Sequence, residues 1–372
     1  MAQGLCKRAI LILAFGMSVG VSNWPLNGAS LSATSESPLA VPNEGVLPKW
    51  SNGLLITVAG LNSTSPVVLL YDRSGVRTSA IPFGISGAVR MSIYDFDRGV
   101  DGTVGLVGYA IDADGRSGSF IATISPDGSV SHTTRTSPYS PRHVAVAPDG
   151  TLWTEGRELI NSATIKADGK THHTAADYVV PGAGSIRHFD KAGKQVGAFL
   201  AQSTYHVPEG IGGNDNFLRV SADRAVVYSG PDQRFVEIPF DGSTVTDISV
   251  ALPAPNALIT GIAVNEAGDV YISEEHSQQG NKHLGICVFD RKSRSWVMVR
   301  ERAARGDPND FYGVYGADRA GLVLSSANGL RMKFFALVKY GIGASSTMKT
   351  RHRMPSRVSN GLHTCPGSLR AF

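Results

Sequence analysis

The amino-acid sequence predicts an all-β fold of the β-propeller kind, on three observations: its composition, an internal repeat, and two hairpin types that alternate within each repeat. Glycine (42) and proline (19) punctuate 372 residues rich in Val, Ile, Thr and Ser. Runs of helix formers are short, which favours many short strands joined by turns. Four segments align without gaps, at 144–154, 218–228, 262–272 and 314–324. Each alternates apolar residues, passes through a polar turn and enters a second strand, as a hairpin with a buried face requires.

A looser copy opens at Met91, its longer turn passing Gly99 and Gly102, and Leu54 to Val58 opens the first unit. A second hairpin follows each of the first, at 69–75, 123–128, 187–193, 237–242 and 287–293. Two hairpins make a four-stranded meander, and repeated meanders of about 40–50 residues are the signature of propeller blades. With the unit near Leu54 the count is six. The longest step, from Val144 to Leu218, carries an insertion at roughly 161–184, read as a surface excursion. A β-sandwich is the competing arrangement, and the regular alternation of hairpin types favours the propeller.

Segments 144–154 and 261–273 share an apolar-Ala-Val opening, a turn containing Gly and an aromatic residue in the second strand. In this the sequence resembles the NHL-type and gluconolactonase-like six-bladed propellers, over most of residues 50–335. The resemblance implies the fold far more than any activity. Gluconolactonase-like propellers hold a metal at the channel mouth with a Glu, Asn residues and an Asp. The resemblance therefore implies Glu209 with Asn214 or Asp215, and Glu274, as the nearest metal candidates, although their local contexts depart from the family's pattern.

Four regions are expected along the chain. Residues 1–22 have the layout of a secretory signal, with Lys7 and Arg8 ahead of an apolar run from Ala9 to about Val21 and small residues near its end. That run is shorter than the roughly 20 apolar residues of a spanning helix, and no later segment is apolar for long enough. Cleavage falls near Ser22 or further on toward Ala33. Residues 23–49 read as a disordered lead-in, 50–339 as the propeller and 340–372 as a basic disordered tail. A secreted or periplasmic protein is expected. After Val338 the repeat stops: either a strand from near Leu54 completes the last blade, or the chain ends in a segment out of frame with its relatives.

The net charge of +4 belongs to the end of the chain. From Arg319 onward there are nine basic and no acidic residues, which leaves 26 basic against 31 acidic elsewhere. The propeller body offers no basic stripe for a nucleic acid. Three cysteines, Cys6, Cys287 and Cys365, make no disulfide framework, so stability must come from core burial.

In a meander, the turns between strands two and three and the segments between blades share one face and surround the channel mouth, where polar groups converge. This places His143, Glu155, His206, Glu209, Asp215, Glu274, His276 and Asp310 on one rim as ligand-binding candidates, with Arg142, Arg157, Glu158, Tyr205, Asn214, Asp232, Glu275 and Asp307 nearby. No cofactor is called for, except that carboxylates and imidazoles together suit a divalent cation, at Glu209, Asn214, Asp215 or Glu274. Solvated loop acids are the competing reading. Glu275 and His276 read as an ordinary exposed pair, and Trp153 and Trp296 as blade-packing aromatics. G-x-S-x-G, P-loop, H-E-x-x-H and paired C-x-x-C motifs are absent. The expected role is binding of a small molecule or a protein partner at the channel mouth by a monomer, with no nucleic acid. A metal-dependent lactonase-like or lyase-like enzyme is the alternative, with catalytic residues unassigned.

Overall fold

The computed structural model describes residues 30–31, 38–40, 49–72, 75–158, 180–207, 216–248, 252, 257–303, 311–318, 321–326 and 331–338. All lie in the first of the chain's two units, Met1–Lys339; the basic tail is the second, Tyr340–Phe372, and lies outside the described residues, as does the expected signal segment. Among the described residues no helix is long and apolar enough to cross a membrane.

The chain begins with β1 (Ser30–Leu31), β2 (Pro38–Ala40), β3 (Lys49–Ser51), β4 (Leu54–Ala59), β5 (Asn62–Ser63), β6 (Val67–Tyr71) and β7 (Arg77–Pro82). The second blade holds β8 (Ala88–Arg98), β9 (Val104–Asp112), β10 (Ser117–Ile124) and β11 (Val130–Arg135), and the third β12 (Tyr139–Val146), β13 (Leu152–Glu158), β14 (Gly184–Phe189) and β15 (Gln195–Ala201). The fourth comprises β16 (Asn216–Val220), β17 (Arg224–Ser229), β18 (Arg234–Pro239) and β19 (Thr246–Asp247), and the fifth β20 (Leu258–Val264), β21 (Val270–Gln278), β22 (Asn281–Asp290) and β23 (Ser295–Ala303). The chain closes with β24 (Phe311–Asp318), β25 (Gly321–Ser326) and β26 (Arg331–Val338).

These strands form six antiparallel sheets. Five are four-strand meanders of near-contiguous chain, the first being β3-β4-β6-β7, while the two-residue β5 crosses to the free edge of β8, on the side away from β9. The sixth sheet is composite: β24, β25 and β26 are joined by β1 and β2, which both pair with β26, Ser30 opposite Val338 and Ala40 opposite Arg331. The expected all-β propeller class is therefore observed, with two corrections near the N-terminus. The first unit begins one strand before Leu54, at β3, because Leu54 opens the second strand of its meander. The lead-in is not wholly unstructured, since β1 and β2 come from it and, rather than a strand near Leu54, complete the last sheet. Most of the insertion after β13 lies outside the described residues.

The inner strands of the sheets carry buried residues on both faces, and strand periodicity divides the core accordingly. On β4, Leu55 packs with Trp50, Leu69, Tyr71 and Val323 between the sixth and first blades, whereas Ile56 packs with Met91, Leu106 and Phe120 between the first and second. On β17, Ala225 and Val227 face the third blade, and Val226 and Tyr228 the fifth. Six such apolar clusters fill the six seams of the ring. Two seams demand glycine. A Cβ on Gly261 would fall 2.2 Å from the Val314 carbonyl oxygen, and one on Gly316 would fall 2.4 Å from Cδ1 of Trp50.

Trp153, fully buried between the third and fourth blades, stacks on His188 (4.4 Å between centroids), Phe240 (5.1 Å) and Phe199 (5.4 Å). Trp296 is likewise buried, so both tryptophans pack blades as expected. Trp153→Ala is predicted to lower stability by about 3–5 kcal/mol through lost contact and a residual cavity, measured by equilibrium denaturation; a loss under about 1 kcal/mol would contradict the seam packing.

Candidate functional site

The first strand of each blade lies innermost and turns one edge toward the axis, where its backbone groups lack a neighbouring strand except where β5 pairs with β8. Side chains of adjacent blades supply the partners. Asp95 on β8 accepts from the Val144 amide at 2.8 Å, Asp97 accepts from the Val146 amide at 2.9 Å, and Ser273 accepts from the Val314 amide at 2.9 Å. Lys49 on β3 donates to the Val144 carbonyl at 3.1 Å and to both oxygens of Asp95, at 3.0 and 2.8 Å.

From this pair a chain of polar groups crosses the interior. His143 on β12 stands between two carboxylates, Nδ1 lying 3.7 Å from Asp95 and Nε2 3.9 Å from Glu155. Glu155, fully buried on β13, accepts through Oε1 from the Tyr205 hydroxyl at 2.6 Å and the Asn216 amide at 2.9 Å. Its other oxygen, Oε2, on the side facing His143, has no hydrogen-bond partner among the described residues. Asn216 also donates to the His206 carbonyl at 3.1 Å, and the His206 ring meets Asp232 at 2.6 Å.

The two carboxyls beside His143 are driven apart. Burial pushes Asp95 upward, but the Lys49 ammonium and His143 outweigh it and hold the carboxyl well below its ordinary range. Burial also pushes Glu155 upward, and there the opposing pull of His143, Tyr205 and Asn216 does not overcome it. Two carboxyls perturbed in opposite directions on either side of an imidazole form an arrangement that acid–base chemistry uses.

On the axis a cavity of about 280 Å³ is lined by the ends of the six innermost strands and the turns that follow them, including Asn52, Val100, Pro148, Ala222, Glu266 and Ala317. Arg219 on β16 and Asp97 on β8 add charge to its wall. The cavity thus opens on the face that carries the turns between strands one and two, opposite to the expected mouth. Several loops of that expected mouth, 208–215 and 304–310 among them, lie outside the described residues.

The expected single rim divides into two clusters. His143, Glu155, Tyr205, His206 and Asp232 join the interior network, whereas Glu274 and His276 sit on the fifth blade beside His283 and Glu301. Glu209, Asn214, Asp215, Asp307 and Asp310 lie outside the described residues. Arg142 lies over the Tyr94 ring and Glu158 pairs with Arg187. Glu275 and His276 are not a pair: Glu275 meets Lys282 at 2.7 Å, and His276, buried, meets Glu274 at 3.0 Å, because adjacent strand residues point to opposite faces. The sequence reading missed Lys49, Asp95, Asn216, Arg219, His283 and Glu301. Polar residues inside otherwise apolar first strands were the available signal for Asp95 and Arg219.

Stability should carry both carboxyls' signatures. Asp95, with its titration depressed, contributes stability that is present above about pH 4 and lost on acidification; Glu155, with its titration raised, favours the fold below about pH 4.3 and loses that contribution as pH rises. Melting curves from pH 3.5 to 8 should therefore show Glu155→Gln gaining on the parent protein with increasing pH and Asp95→Asn losing on it. Parallel curves for all three proteins would refute both assignments.

No family model matches the chain, and no curated protein matches it in sequence. Among solved structures it is similar to a gluconolactonase from Xanthomonas campestris, with a TM-score of 0.41 and 15% identity over 85% of this chain and 99% of that one. It is also similar to the Dos1 propeller, with a TM-score of 0.39 and 9% identity over 81% of this chain and 70% of that one.

Proposed function

We propose that this propeller binds a small organic anion in its axial cavity, acting as a monomer. The observation that carries the reading is Arg219. Arg219 lines the cavity, and its guanidinium donates to the neighbouring Leu218 carbonyl at 2.8 Å and has no carboxylate partner among the described residues. A guanidinium with free donors in a concave site suits a carboxylate or phosphate, which it can engage through two parallel hydrogen bonds. Asp97 and Glu266 on the same wall, the latter with an unpartnered Oε2, would accept from hydroxyl or ammonium groups of that ligand. The class that fits is a small hydroxy or amino acid, and a cavity of about 280 Å³ suits a compact molecule.

A second reading is an acid–base enzyme, the observation in its favour being the oppositely perturbed Asp95 and Glu155 on either side of His143. Glu155 would then supply a proton, Asp95 would keep His143 oriented, and loss of Glu155 would abolish turnover while sparing binding. A metal at Glu209, Asn214 or Asp215, of the lactonase-like kind, belongs to this alternative.

Thermal-shift and calorimetric titration of amino acids, hydroxy acids and sugar acids tests the first reading. One class should stabilise the protein, and Arg219→Ala should weaken it roughly 10- to 100-fold, as expected for the loss of a charged hydrogen-bonding partner worth about 1.5–3 kcal/mol. If no member of the panel binds, or the variant binds as well, the reading falls.

Export accompanies the proposal, supported by Lys7, Arg8 and the apolar run that follows. Because β1 begins at Ser30, intact-mass and N-terminal sequencing of the exported protein should place its first residue after Ser22 and no later than Ser30. An unprocessed cytoplasmic chain would contradict this.

A further inference from the structure

We propose that His276, His283 and Glu301 bind a divalent transition-metal ion of the zinc class at the rim end of the fifth blade. This goes beyond the axial cavity, which meets the fifth blade at the opposite end of β21, where residues 263–266 line it.

Register builds the cluster. His276 on β21 stands directly opposite His283 on β22, and Glu274, Gly285 and Glu301 form the next row across β21, β22 and β23. Alternation puts all of these side chains on one face, and the imidazoles stack with centroids 5.5 Å apart. Gly285 keeps the row open: a Cβ there would lie 2.5 Å from Oε1 of Glu274.

Three donor atoms converge. Nε2 of His276 lies 3.4 Å and Nδ1 of His283 3.3 Å from Oε1 of Glu301, and one donor atom of each residue falls within 4.8 Å of the others. A direct charged hydrogen bond would be about 2.7–2.9 Å. The edge of a tetrahedron with metal–ligand bonds of about 2.0–2.1 Å is instead about 3.3–3.4 Å. Both of these separations match that edge.

The surroundings are arranged as a metal site's are. Glu274, fully buried, lies 3.0 Å from Nδ1 of His276, and a proton on that nitrogen would leave the Nε2 lone pair for a metal beside Glu301. Its second oxygen has no hydrogen-bond partner among the described residues, and neither does Nδ1 of His283. Two imidazoles and one carboxylate exclude calcium and magnesium as preferred ions and leave a fourth position for water. The neighbouring Cys287 is turned to another partner, its thiol donating to Met298 at 3.6 Å.

The test uses the full mature chain, stripped with a chelator, dialysed, and titrated with Zn²⁺ in competition with a chromogenic chelator. One equivalent should bind, and Co²⁺ should give the intense visible bands of a tetrahedral site. His276→Ala and His283→Gln should each weaken zinc by at least tenfold, and Glu274→Gln by 10- to 100-fold with the stoichiometry kept. The partly exposed His283 provides the variant that preserves folding, confirmed by an unchanged melt of the metal-free protein, and Arg219→Ala should bind zinc as the parent does. A parent protein that takes up no zinc, or a His276→Ala/His283→Gln double variant that takes up as much, overturns the site.

Discussion

The constraint on which the molecule depends is the unpaired edge of each innermost strand. A ring of antiparallel sheets covers its faces well, but the first strands of the blades turn backbone N–H and C=O groups to the axis, where only the short β5 pairs with β8 and where burial makes an unmet group costly. Asp95, Asp97, Ser273 and Lys49 meet four of these groups across seams. Polar side chains are thereby drawn into the middle of an otherwise apolar fold. The charged interior is first a structural answer to the sheet edges, and the cavity with Arg219 lies where that answer meets solvent.

Blades and turns were legible because they are local. Two-residue alternation, Gly turns and the spacing of hairpins are written in contiguous residues, and the first strands beginning near Met91, Val144, Leu218, Ile262 and Val314 are the innermost strands β8, β12, β16, β20 and β24. What is not local was harder to read. The partnership of β26 with Ser30 and Pro38 joins distant ends of the chain through segments whose composition resembles a linker. The meeting of Asp95 with His143 depends on the stagger between neighbouring blades, which no sequence period specifies. The His276–His283 pair was within reach, since counting outward from the turn at Gln279 and Gly280 sets the two histidines opposite one another.

Chemistry is divided between the two ends of the ring. At one end Arg219, Asp97 and Glu266 share the wall of the axial cavity, and at the far end of the fifth blade two imidazoles and two carboxylates gather on one sheet face. Between them the Lys49–Asp95–His143–Glu155 series spans the first three blades. Each group relies on rigid strands for its placement, and positioning on strands is what gives a site its precision.

Closure by β1 and β2 fixes the order of events in the life of the chain. Ser30 and Val338, about 300 residues apart, must find one another before the ring is shut, so the latch cannot set until synthesis has passed the final blade. Long-range pairing of this kind is slow. A nascent molecule therefore spends its longest interval as an open arc with the flanks of its first and last blades bare. That interval is when two neighbouring copies could exchange their latches by mistake.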